Sequence, residues 1–150
     1  MTVRLKVINR KEFEDKIQKM SSKTLANLKK TVRVTANETR NTAVNSILQN
    51  ARSGGEVTRY NPNRTIRISA EGSPPASDTG FLASNIHLVM DGDQLGASVE
   101  SRADYSKFLE FGTIKMRARP FMQPALEQGK RKYKRMFEKA VKDGIWLMNL

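Results

Sequence analysis

Residues 104–126 read DYSKFLEFGTIKMRARPFMQPAL, and the reading of this stretch organises the rest of the chain. It opens as a short helical segment, with Tyr105, Phe108, Leu109 and Phe111 clustered on one side and Lys107 and Glu110 interleaved. Gly112 is placed to stop that segment, as glycine commonly does just past a helix end. A basic loop carrying Lys115, Arg117 and Arg119 follows, and Pro120 and Pro124 frame Phe121 and Met122 where a long basic helix starts. No nucleophile–base set and no metal cluster occurs here. The stretch reads as an aromatic plug, a basic loop and a helix launch, with Phe108 and Phe111 expected to be buried.

Downstream, a helix is predicted from Pro124 to about Gly144. Leu126, Tyr133, Phe137 and Val141 form its apolar stripe, widened by Met136 and Ala140, and Gly129 is a weak point. Lys130, Arg131, Lys132, Lys134 and Arg135 form a basic cluster around Tyr133. That mixture suits a nucleic-acid surface or an acidic partner, and equally a solvated face with cation stems lying along apolar surface. The apolar residues Ile145, Trp146, Leu147 and Met148 are expected to dock on a neighbour or fold back.

Upstream, Ile86, Leu88 and Met90 alternate, Asp91-Gly92-Asp93 turns the chain, and Leu95, Ala97 and Val99 alternate on the return, which predicts a β-hairpin. His87 has no second histidine and no cysteine to share a metal. Residues 72–80 are loop-like, with Pro74-Pro75 extended and Asp78 or Thr79 capping a turn that sends Phe81 and Leu82 inward. Val57–Tyr60 and Thr65–Ser69 form a second, basic-faced hairpin around Asn61-Pro62-Asn63, with Arg59, Arg64 and Arg67 on it. From Lys23 to Ala51, Leu25, Leu28, Val32, Ala36, Thr39, Ala43 and Ile47 recur at helical spacing, with Val44, Leu48 and Ala51 widening the stripe. Thr2–Ile8 alternates as a strand, and Asn9 caps a helix through Phe13, Ile17 and Met20, broken near Ser21-Ser22.

The order predicts an α+β fold, a small mostly antiparallel sheet with a long N-terminal and a long C-terminal helix packed on one face. The 150 residues are expected to form one domain. There are no cysteines and no run of apolar residues long enough for a membrane span. The N-terminus lacks a signal-peptide core, so synthesis in the cytoplasm is expected. No catalytic set is visible, so neither an enzyme nor a cofactor or metal is expected, and no membrane partner. The net charge of +12 is split. Residues 1–52 carry 12 basic and 4 acidic side chains, residues 53–112 carry 5 and 8, and residues 113–150 carry 10 and 3. Basic ends around a mildly acidic middle suit contact with nucleic acid, or head-to-tail contacts between copies.

The pattern Y-x-x-F-L-E-F-G-T-x-x-M-x-A-R-P-F-M-x-P-A-L, from Tyr105 to Leu126, resembles the hallmark of a phage family. This is the neck and tail-completion (head–tail joining) family of tailed bacteriophages named after gene product 10 of an HK-type lambdoid phage. A second block, SAEGSPPASDTGFLASN at Ser69–Asn85, resembles the same family's proline-rich segment, through Thr79, Gly80, Leu82 and Ser84. The resemblance implies a structural virion protein at the head–tail neck, made in the host cytoplasm. It would form a homo-oligomeric ring, six copies being the implied number, beside connector, tail-terminator or tail-tube proteins. It implies that Tyr105, Phe108, Leu109, Phe111, Gly112, Arg119, Pro120 and Phe121 hold subunit contacts or the local fold. The Pro74–Leu82 loop, with Pro74, Pro75, Thr79 and Gly80, would reach a neighbouring ring. The alternative is a basic nucleic-acid-binding protein, with Lys130, Arg131, Lys132, Lys134 and Arg135 contacting DNA, and non-specific DNA contact is compatible with a channel-lining ring.

Overall fold

A computed structural model describes residues 1–5, 22–50, 52–60 and 62–145. The expected Asn9 cap, the helix through Phe13, Ile17 and Met20, Ser21, Ala51, Asn61 and the tail from Trp146 onward lie outside those residues. The elements are β1 (Thr2–Leu5), α1 (Ser22–Leu48), β2 (Glu56–Tyr60), β3 (Asn63–Arg67), α2 (Phe81–Ser84), β4 (Ile86–Met90), β5 (Ala97–Ser101), α3 (Ser106–Phe111) and α4 (Met122–Ile145). The fold is α+β, with two small antiparallel sheets.

The three-stranded sheet has the order β1-β5-β4. Val3 pairs with Val99 in one backbone register, and Leu88 pairs with Val99 in the other. The β4–β5 turn closes through an Asp91 N–H donated to Gly96 and a Gln94 N–H donated to Asp91, each at 2.9 Å. Leu95 falls in this turn rather than in the strand, because the Asp93 carboxylate accepts its N–H at 2.9 Å and holds it in a side-chain-capped turn.

α1 buries Leu28, Val32, Ala36, Thr39, Ala43 and Ile47, six of the seven residues of the expected stripe. Leu25 is half-buried, and Thr24 and Thr35 are buried beside the stripe. Thr35 and Thr39 tolerate burial because each donates its hydroxyl to a carbonyl one turn back, at 2.9 and 3.0 Å. Leu48 does not widen the stripe: it is exposed at the last helical position, where the chain turns toward the second hairpin. Ala43 and Ile47 share a core with Leu82, Ile86, Val99, Phe121, Met122 and Ala125, while Val32, Ala36 and Ala97 form a second cluster against Phe137. α1 therefore covers the inner face of β4 and β5, and α4 packs along α1, adding Met122, Ala125 and Phe137 to the two clusters.

β2 and β3 form a separate hairpin, and β3 starts at Asn63, two residues earlier than expected, because Tyr60 pairs with Asn63 across the turn. Only Val57 and Ile66 of this ribbon are half-buried. Buried area is small here, so the hairpin depends on contacts with the loop that follows it.

Candidate functional site

The site grows from α3. On this six-residue helix Ser106 and Glu110, four apart, face inward, while Phe108 and Phe111, three apart, face outward. The orientation is the reverse of the expected aromatic plug. Phe108 is 47% exposed and Phe111 68%, whereas Glu110 is 4% exposed. The cause is the start of α4. Glu110 Oε2 accepts the N–H groups of Phe121 at 2.8 Å and Met122 at 3.0 Å, and Oε1 accepts that of Gln123 at 2.9 Å. A helix start leaves several N–H groups unpaired and carries partial positive charge, so one carboxylate satisfies both needs. The next residue, Pro124, has no N–H to satisfy. Inward placement of Glu110 rotates the aromatic residues out.

The chain between these partners is tightly held. Gly112 ends α3 with φ +76°, and a Cβ there would sit 2.8 Å from Ala118 N and Met116 O, so only glycine fits. Thr113 and Met116 close a tight turn at 2.7 Å with Ile114 fully exposed at its tip, and the Arg119 N–H returns to Leu109 O at 2.6 Å. Phe121 then enters the core, flanked by the half-buried Pro120.

The proline-rich block lies against the same region. Pro75 is buried, Asn50 donates its side-chain amide to Pro74 O, and the Ser77 N–H reaches Ile47 O at 3.1 Å. The Gly72 N–H reaches Ala118 O at 3.1 Å, tying this block to the basic loop. Thr79 Oγ1 accepts the Phe81 N–H at 3.3 Å and closes a local turn, while the N-cap position itself falls on Gly80, at φ +79° and without a side-chain cap bond, one residue later than expected. Leu82 goes inward as expected. Phe81 does not: it is 53% exposed, because a helix of four residues has one inner face and Leu82 and Ala83 occupy it. Phe81 meets Tyr105 instead, with ring centroids 6.3 Å apart and planes tilted by 30°. The two motif blocks thus meet at the exposed Phe81–Tyr105 pair, and the exposed Phe108 and Phe111 follow on α3, with Lys107 Nζ 5.0 Å from the Phe108 ring centre. A cleft of about 380 Å³ lies beside the pair, where Pro75, Asp78, Leu82, Tyr105, Leu109 and Arg119 converge with the second hairpin. Partial burial raises the Tyr105 phenol above its usual pKa, an effect opposed by Arg59 and reinforced by Asp78.

The basic cluster on α4 is divided. Lys130, Arg131, Lys132, Lys134 and Arg135 are all exposed. Lys132 is 2.5 Å from Glu38 of α1 and Lys130 is 3.1 Å from Glu127, while Arg131, Lys134 and Arg135 have no ion pair among the described residues. The hydrogen bond and charge of Glu38 keep Lys132 protonated to higher pH than an isolated lysine. Tyr133 leaves this cluster and turns inward. It is 5% exposed, its hydroxyl lies 3.1 Å from that of Thr39, and burial raises its pKa while the Thr39 hydrogen bond opposes the rise. Gly129 makes this possible, since a Cβ there would overlap the Tyr133 ring at 2.1 Å.

Sequence reasoning missed Glu110, which in the sequence is one of two polar residues interleaved with the aromatics. The available signal was an acidic residue ten positions before a Pro-Phe-Met helix start that has no Ser, Thr, Asp or Asn beside it to cap it. No helix among the described residues is long and apolar enough to cross a membrane. No curated protein and no solved structure matches the chain. The family model described as "Bacteriophage HK97-gp10, putative tail-component" matches residues 11–112, a span that takes in the proline-rich block and α3 through Gly112, and the chain belongs to that family of phage structural proteins.

Proposed function

We propose that this chain is a ring-forming subunit of the phage head–tail joint, folded as one domain, that completes the tail end or joins the tail to the filled head. Its partners are further copies of itself, six by the family resemblance, and adjacent connector, tail-terminator or tail-tube proteins. The role is structural and needs no catalytic step.

One observation supports this reading above the rest: four exposed aromatic residues, Phe81, Tyr105, Phe108 and Phe111, come from the two motif blocks, and Phe81 and Tyr105 join the blocks ring to ring. Large aromatic side chains grouped on a small protein's surface mark interaction sites, and aromatic anchors dominate interface energies. A head-to-tail contact repeated by rotation closes a ring. Cryo-microscopy of assembled particles tests the reading. The expected result is a closed ring of this chain at the neck; a single copy per particle, or a position elsewhere, overturns it.

The basic face of α4 favours a second reading, DNA binding. Lys130 and Lys132 already hold carboxylates and Tyr133 is buried, which leaves Arg131, Lys134 and Arg135. Three cations give a salt slope of roughly −2.7 on a log–log plot. In the ring, Arg131 and Arg135 meet carboxylates on a neighbour, which suit the planar guanidinium fork. Salt titration against duplex DNA separates the readings when run beside a tail-joining assay of charge-reversed variants. Weak association fading near physiological salt, with failed joining, is expected. Tight, sequence-selective binding with joining intact would favour the DNA reading.

A further inference from the structure

The cleft between the two motif blocks is short of negative charge. Arg59 and Arg119 both line it, and Asp78 is its one carboxylate among the described residues. Asp78 is already engaged by Arg64 at 2.8 Å and by Arg59 at 3.9 Å. Glu110 is committed to the start of α4. Arg119 makes no ion pair among the described residues, and its buried Nε has no acceptor. On the same cleft Ser69, 1% exposed, has a hydroxyl with no partner. Buried polar groups are nearly always paired, and a half-buried guanidinium without a counter-ion is costly. Arg119 Nε and Ser69 Oγ thus both lack a partner on the wall of one cleft, and an anion there would offer acceptors to both.

We propose that this cleft receives the carboxylate of a glutamate or aspartate side chain from a partner protein in the assembled particle. The carboxylate lies on the Arg119 guanidinium and the Ser69 hydroxyl, and the stem lies against Leu82 and Leu109. The site rests on the reading of the motif face as an assembly surface, and it names the chemistry of the group that docks there. A carboxylate fits better than a phosphate of nucleic acid. Strand binding uses a groove of several cations that tracks the backbone. Here one unpaired guanidinium sits beside Asp78 in a cleft of about 380 Å³, a volume suited to one or two side chains. The planar fork of arginine matches a carboxylate with two parallel hydrogen bonds.

The test is a titration of the ¹⁵N-labelled full chain with N-acetylglutamate N-methylamide, read at the arginine Nε–H resonances. The Arg119 resonance is expected to move and saturate. The glutamine analogue, and the glutamate probe on a Ser69→Ala variant, are expected to need roughly tenfold more ligand, because each loses a charge-assisted bond. An unmoved Arg119 resonance, or an equal response to the glutamine analogue, overturns the proposal. A stronger response to inorganic phosphate or short duplex DNA overturns it in favour of a nucleic-acid site. Failure here with a ring present in particles removes the cleft alone, and a saturating response in a protein found away from the neck removes the ring alone.

Discussion

The Glu110 carboxylate accepts the backbone N–H of Phe121 at 2.8 Å, joining two helices through a loop of ten residues. This bond fixes where α4 starts, delivers Phe121 to the core and sets which side of α3 meets solvent. Glu110→Ala leaves three N–H groups without their acceptor. It is expected to destabilise the fold by about 3 kcal/mol, with Glu110→Gln costing roughly half as much, since it keeps an acceptor and loses the charge. Urea unfolding of both variants measures this. An alanine cost below about 1 kcal/mol would show that water replaces the carboxylate freely.

Phe108 and Phe111 are exposed, so replacing either with alanine is expected to change stability by less than about 1 kcal/mol. Phe121→Ala empties a fully buried site and is expected to cost about 3–5 kcal/mol. Thermal melts give the contrast. The same Phe108 and Phe111 variants, scored for incorporation into particles, are expected to fold normally and assemble poorly.

Tyr133 carries a pH signature. Burial raises its pKa above the usual 10.0, so above that pH the unfolded chain releases the phenol proton while the folded chain keeps it. The stability present below pH 10.0 is therefore lost as pH rises through the folded value. Tyr105, also raised, acts in the same direction. Tyr133→Phe is expected to flatten part of the alkaline fall, measured as denaturation midpoints from pH 8 to 11, and to cost about 1 kcal/mol at neutral pH through the lost Thr39 hydrogen bond. An alkaline fall unchanged by the substitution would place its origin elsewhere.

Arg59 and Arg64 stand directly opposite each other on β2 and β3, a like-charge pair that Asp78 bridges from the proline-rich loop. Opposed like charges weaken a strand pair. Asp78→Asn is expected to speed amide exchange across residues 56–67 by roughly fivefold, matching an exposed ion pair worth about 1 kcal/mol, while α1 and α4 exchange as before. Unchanged exchange in the hairpin would mean that Val57 and Ile66 hold it unaided.

Elements whose burial repeats along one chain segment can be read directly from their residues. The β4–β5 hairpin was legible as strands around a turn, though β5 buries Ser98 along with Ala97 and Val99 instead of alternating. The α1 stripe from Leu28 to Ile47 was legible because the helix period is a local property. Gly112 was legible as a helix stop for the same reason. The tertiary structure alone decided which face of a short helix turns inward. α3 has too few residues for its apolar pattern to fix its rotation, and the unpaired N–H groups at the start of α4, eleven to thirteen residues away, outweighed Phe108 and Phe111 by drawing Glu110 in, while Leu109 still packs against the core. The same holds for Tyr133, which looked like part of a basic surface until the packing of α1 placed Thr39 beside its hydroxyl and Gly129 cleared room for its ring. Buried hydrogen bonds between segments distant in sequence have no period to read, so they emerge only when the fold brings donor and acceptor together.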